Sequence, residues 1–255
     1  MIANYHTHTT RCNHATGTDE EYVLQALAAG IQILGFSDHT PHWAPCCHNY
    51  VRMTVEEFPG YMQSLQALKE TYRGRIQLHI GLEAEYYPKY FPETHMHLKE
   101  AGVEYLLLGQ HWVGDDPVCG CSSFAATQDE SILEKYCDQC IAALRTGVFT
   151  YIAHPDLLNF VGDEAVYIRQ YRRLCKEARK LGIPLEINFV GLRTGRYYPR
   201  PLFWQIAAEE GCSAVLGCDA HAPEHLTEAT CEPHARAMAK QLGLQVLPTV
   251  PLRPL

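Results

Sequence analysis

Along the chain, short apolar runs of about three to seven residues alternate with longer stretches in which apolar positions recur every three or four residues. The short runs are residues 1–5, 31–36, 76–82, 103–108, 148–153, 184–188 and 214–216, and each predicts a strand. The periodic stretches predict helices over residues 19–29, 54–72, 92–100, 130–145, 164–181, 200–210 and 223–242. Thr18 or Asp19 caps the first of them, Thr54 the second, and Gly30 and Gly211 stand where helices end. Residues 113–127 and 189–198 read as loops, and a proline-rich tail starts at Pro248. Strand and helix thus alternate seven times with no shift of composition to mark a linker, which implies one domain over residues 1–255 built on a parallel sheet.

The polar residues at the strand ends decide between an open sheet and a closed one. His6 and His8 end the first strand, Asp38 and His39 the second, Glu83 and Glu85 the third, His111 the fourth. His154 and Asp156 end the fifth, Glu186 the sixth, Asp219 and His221 the seventh. An open sheet gathers its site at one switch point. Only a barrel brings every strand end to one mouth, so a (β/α)7 barrel is expected.

Composition narrows the partners. The formal charge of −8 and the absence of a basic run argue against nucleic acid. No apolar stretch is long enough to span a membrane, and no charged segment followed by an apolar one opens the chain. An unexported, cytoplasmic protein is expected, with its eleven cysteines as reduced thiols. Cys137 and Cys140 then sit one turn apart on a helix, and Cys46, Cys47, Cys119 and Cys121 are small loop residues.

Nine residues form the candidate donor set: His6, His8, His14, His39, Glu83, His111, His154, Asp219 and His221. Nitrogen and oxygen without thiolate suit zinc, manganese or iron better than magnesium. Nine donors exceed one ion's needs. Shared among three divalent ions, with Glu83 as bridge, they leave positions open for water or substrate. His48, His95, His97, His225 and His234 fall in loops or helices and read as solvated, and His79 as a barrel-interior residue with a partner.

The ordered set His6-Thr7-His8, His14, Asp38-His39, Gly81-Leu82-Glu83, His111, His154-Pro155-Asp156 and Asp219-Ala220-His221 resembles the motifs of the polymerase and histidinol phosphatase (PHP) superfamily. That resemblance implies a distorted (β/α)7 barrel with a trinuclear centre. One ion would be held by His6, His8, Glu83 and Asp219, a second by Glu83, His111 and His154, a third by His14, His39 and His221. The details are similar to its histidinol-phosphate phosphatase branch: Gly35-Phe36-Ser37-Asp38-His39-Thr40-Pro41, Glu186-Ile187-Asn188, Gly191-Leu192 and Tyr198-Pro199. The activity so implied is hydrolysis of L-histidinol phosphate by a metal-bridging hydroxide, a step of histidine biosynthesis. A nucleotide or a phosphotyrosine peptide is the alternative substrate. Arg193, and to a lesser degree Arg196, would grip the phosphate, with Gly191 bending their loop toward the mouth. His42 or Asp156 would protonate the leaving group, and Glu85 and Glu186 would meet the substrate's ammonium or imidazole. The cysteine-rich segments 43–50 and 112–128 depart from the family pattern.

Overall fold

A computed structural model describes residues 1–44, 49–116, 118 and 120–255. Its strands are β1 (Ala3–Asn4), β2 (Ile33–His39), β3 (Gln77–Ala84), β4 (Tyr105–Leu108), β5 (Trp112–Val113), β6 (Cys121–Ser122), β7 (Phe149–Ile152), β8 (Leu185–Asn188), β9 (Ser213–Gly217) and β10 (Gln245–Val246). Its helices are α1 (Asp19–Ala28), α2 (Phe58–Thr71), α3 (Phe91–Glu100), α4 (Glu130–Arg145), α5 (Glu164–Leu181), α6 (Phe189–Thr194), α7 (Pro201–Glu209) and α8 (Cys231–Leu242). Among the described residues eight strands form one parallel sheet in the order β1-β2-β3-β4-β7-β8-β9-β10, while β5 and β6 make a separate antiparallel pair. Beyond β1 and β9 the sheet curls onto itself. Thr7 bridges Ala220, with the His8 N–H donating to Ala220 O at 2.9 Å and the Ala220 N–H to His6 O at 3.2 Å. That closure lies beside the histidines of residues 6–8, so it places the chain's first donors against its last.

Strand parity separates two cores. Along β4, Tyr105 and Leu107 join Tyr5, Tyr151 and Val215 inside the curl, while Leu106 and Leu108 join the larger core beneath the helices. The tail stops the inner core from below. Val250 is buried in it, and Arg253 donates its backbone N–H to Thr150 Oγ1 at 3.1 Å. The helices start where their chemistry allows: Thr18 and Glu21 make a reciprocal capping box at α1, Asp129 caps α4, and Asp163 caps α5.

Several boundaries differ from the sequence reading. Thr54 and Glu57 do bond one another's backbone, but they close a turn, and α2 begins at Phe58 with Pro59 in its first turn. The stretch expected as one last helix is a short 3-10 turn, Pro223–Leu226, followed by α8. Residues 189–194 are α6, capped by Asn188, and not a loop. Gly191 is there for contact: a Cβ on it would lie 2.0 Å from Tyr198 O. Cys46, Cys47 and Cys119 lie outside the described residues, whereas Cys137 and Cys140 are buried free thiols on α4. No helix of the described residues is long and apolar enough to cross a membrane.

Candidate metal centre

All nine candidate donors meet at the C-terminal end of the sheet. Donor atoms within 4.8 Å of one another occur in the groups His6–Glu83–His154, His6–His8–Asp219, His8–His39–Glu83 and His14–His39–His221. His111 joins them through Nε2, 3.4 Å from Glu83 Oε1, and His154 Nε2 lies 2.8 Å from the same oxygen. Glu83 is therefore the hub, with His6, His8 and His39 at 3.5, 3.6 and 3.1 Å from its Oε2. Two of the donors hold backbone conformations that side chains resist: His154 has φ +30° and Asp219 φ +45°. Such strain persists only where the surroundings over-determine it, and here it aims both side chains at the centre.

The cluster fits cations on its own chemistry. Both oxygens of Glu83 and Oδ1 of Asp219 are buried without a hydrogen-bond partner. A buried carboxylate left so costs several kcal/mol, roughly, unless a positive charge faces it. Imidazole nitrogens also face one another, His6 Nε2 to His8 Nε2 at 3.2 Å and His14 Nε2 to His221 Nε2 at 3.0 Å. Lone pairs that point together need a proton or a metal between them. Burial alone would lower His6, but the carboxylates of Asp219, Glu186 and Glu83 overcome it and hold its pKa well above the ordinary value. His8 is raised likewise against burial by Asp219 and Asp38. Those protons stand where a cation would. Burial and the charge of His8 push His39 down to about 3, which keeps that imidazole a neutral donor.

Behind the donors stands a ring of carboxylates. Glu186 accepts from His6 Nδ1 at 2.9 Å, from Asn188 Nδ2 at 2.8 Å and from the His154 N–H at 3.1 Å. Glu85 is 3.0 Å from His111 Nδ1 and is gripped on both oxygens by the buried guanidinium of Arg52 at 3.0 and 3.1 Å. Asp38 Oδ1 lies 3.5 Å from His8 Nδ1. Such partners fix the ring orientation of metal-binding histidines and raise their basicity. Neither Glu85 nor Glu186 lines the cavity above the centre, so the expected contact with substrate is replaced by support of His111 and His6. Gly109 makes room for the hub, since a Cβ there would lie 1.9 Å from Glu83 Oε1. With His154 fixing the same oxygen, Gly109→Ala is expected to weaken metal binding about 10- to 100-fold, measured by titrating metal into the apoprotein.

The cavity over the donors has a volume of about 600 Å³. Arg193, Arg196, Phe124, Trp112, Tyr198 and His225 form much of its remaining wall. Arg193 is held in place, donating to Glu228 Oε2 at 3.1 Å and to the carbonyls of Cys218 and Asp219 at 3.4 Å. Arg196 is exposed. His42 and Asp156 are not brought to this cavity. His42 Nε2 faces Glu85 at 3.5 Å, in a buried position beside Arg52 that lowers its pKa. Asp156 is buried with its Oδ2 accepting the Arg200 N–H at 2.5 Å, so it fixes the entry to α7; burial raises its pKa to about 6.

Sequence reasoning assigned no donor or cavity-wall role to Cys12, Arg52 or His225. Cys12 Sγ falls within the donor group of His8 and His221. Burial raises its thiol, but His14 and His8 draw it below the ordinary value. Its place two residues before His14 was the available signal. His225 was read as solvated, yet it lines the cavity, and its Nδ1 accepts the His221 N–H at 3.1 Å. No pattern in the sequence announces Arg52, a guanidinium buried in an irregular segment.

The PHP domain family matches residues 4–189 of the chain. The chain belongs to the PHP family. It is 32% identical over 239 residues to the probable histidinol-phosphatase of Deinococcus radiodurans, covering 87% of each. With the histidinol-phosphatase of Bacillus subtilis it shares 24% identity over 246 residues, 85% of this chain and 92% of that one. In fold it resembles the histidinol phosphate phosphatase of Lactococcus lactis, a crystal structure in complex with zinc, L-histidinol and phosphate. The TM-score is 0.74 over 98% of each chain at 18% identity. The curled parallel sheet is thus that of a PHP-family phosphoesterase.

Proposed function

We propose that this PHP protein is a cytoplasmic phosphomonoesterase that hydrolyses L-histidinol phosphate to L-histidinol and phosphate, with three divalent transition-metal ions. The observation that carries the reading is the set of buried carboxylate oxygens without a hydrogen-bond partner, both of Glu83 and Oδ1 of Asp219, among seven histidines, beneath a cavity walled by two guanidiniums. The 32% identity with the Deinococcus enzyme supports the choice of substrate. His6, His8, Glu83 and Asp219 would hold one ion, Glu83, His111 and His154 the second, and His14, His39 and His221 the third. When bound, such ions supply a nucleophile from water at neutral pH and charge stabilisation for the phosphoryl group.

The chain's own groups do the rest. Glu186, Glu85 and Asp38 keep the imidazoles turned to the centre. Arg193 is preorganised at the cavity wall by Glu228 and two carbonyls, so it binds a phosphoryl oxygen without first losing side-chain freedom. His225 accepts at Nδ1 from the His221 N–H and so carries its neutral-state proton on Nε2; it is an imidazole outside the donor set that can donate a hydrogen bond from Nε2 to an ester bound in the cavity.

Phosphate release from L-histidinol phosphate by the metal-loaded protein, set against a nucleotide and a phosphotyrosine peptide, tests the assignment. A higher kcat/KM on either competitor would overturn the substrate. Arg193→Ala is expected to lose about 10- to 100-fold in kcat/KM, the worth of one charge-assisted hydrogen bond, at unchanged metal content by elemental analysis. Arg196→Ala should lose less.

A further inference from the structure

Phe124 follows β6 at the cavity wall and is 38% exposed, yet its backbone is fixed. Its carbonyl accepts from Asn159 Nδ2 at 3.3 Å. The neighbouring Ser123 is fully buried, donating its N–H to His111 O and its hydroxyl to Gln110 O, each at 2.8 Å. The segment thus holds an aromatic ring in the open beside a metal-centre histidine. Folding gains less from such a ring than from a fully buried one.

Two contacts define its surroundings. The ring lies 15° from parallel to the His111 imidazole, with centroids 6.0 Å apart. The guanidinium carbon of Arg196 sits 5.4 Å from its centroid. Arg196 is exposed, and its further side-chain partner is the hydroxyl of Tyr198. An exposed cation–aromatic contact is worth only about 0.5–1 kcal/mol, so a planar ligand group can displace the guanidinium.

We infer that Phe124 is a specificity-determining residue: its face receives a planar ring carried by the leaving alcohol, and Arg196 is the displaceable cover of that face. The inference rests on the proposed function for the orientation of the ester, with phosphate on the donors at the floor and the alcohol toward the mouth. Phe124 then lies next to His111, where the alcohol leaves the centre. An aliphatic chain has no face to lay against the ring. The favoured class is phosphomonoesters of ring-bearing alcohols.

The test uses the metal-loaded full chain, as wild type, Phe124→Ala and Phe124→Leu, on L-histidinol phosphate, 2-phenylethyl phosphate and butyl phosphate. The last two have alcohol leaving groups of similar intrinsic reactivity, and each variant is compared with wild type on the same ester. Loss of stacking predicts that kcat/KM on the two ring-bearing esters falls about tenfold further than on butyl phosphate, with Leu nearly as impaired as Ala. Equal losses on all three esters, whether from lost metal or from lost fold, overturn the inference, as does no loss at all. A wild type that ignores L-histidinol phosphate but takes 2-phenylethyl phosphate in a Phe124-dependent way supports the ring site and rejects the proposed substrate.

Discussion

Glu83→Gln is expected to lose two metal positions together and roughly 10³-fold in kcat/KM. The reason is geometric. One oxygen of Glu83 is 2.8 Å from His154 and 3.4 Å from His111, while the other is 3.1 to 3.6 Å from His39, His6 and His8. Among the described residues no other carboxylate lies within 4 Å of both groups of imidazoles. The amide keeps the shape but removes the charge, and it turns an N–H toward nitrogens that should offer lone pairs. His221→Ala leaves the Glu83 hub intact and removes a donor from the outer group with His14 and His39, so its deficit should fall mainly on one position. Elemental analysis and the rise of Tm on adding metal separate the two variants. A Glu83→Gln protein with full metal content would show that the carboxylate is not shared.

Arg52→Met should cost about 3–5 kcal/mol of stability, which for a chain of this size lowers Tm by roughly 10 °C. Arg52 is buried and holds Glu85 by two hydrogen bonds, with a third to Thr40 O at 2.9 Å. Without it Glu85 stays buried with only His111 and His42 near its oxygens. Burial would then raise the pKa of a carboxylate that Arg52 and His111 now hold well below the ordinary range. Removing both members of a buried pair is far less costly than removing one, so Arg52→Met with Glu85→Leu should recover most of the lost stability. It should not recover activity, because His111 would lack the acceptor on its Nδ1. A double variant as active as wild type would mean that Glu85 does nothing for His111.

How much of this could be read from the chain follows from how local each signal is. The donors were legible because a histidine at the end of an apolar run is fixed in direction by strand parity, and several such ends converge only in a closed sheet. Glu85 and Glu186 were visible as strand-end carboxylates, but not which way they turn. Glu85 lies one residue past β3, beyond the pleat that would set its direction, and every residue of β8 is buried, so the alternation that betrays a face is missing. α6 was hidden by Gly191 and Gly195, which read as loop residues, although Asn188 was a fair capping signal. The two-residue strands β5, β6 and β10 are too short for any periodicity to show.

The closure of the curl through Thr7 and Ala220 bears on how the protein comes into being. Contacts across that seam join residues more than 200 apart in the chain, as between His14 and His221, where the separation is 207. Loops of that length close slowly, and topologies built on distant pairings fold late and through intermediates. His6 and His8 emerge early in synthesis but find Asp219 only when the seam forms, and until then the position they share with it is incomplete. The positions that need Asp219 or His221 would therefore be completed last, and their occupancy would report that the ring has closed.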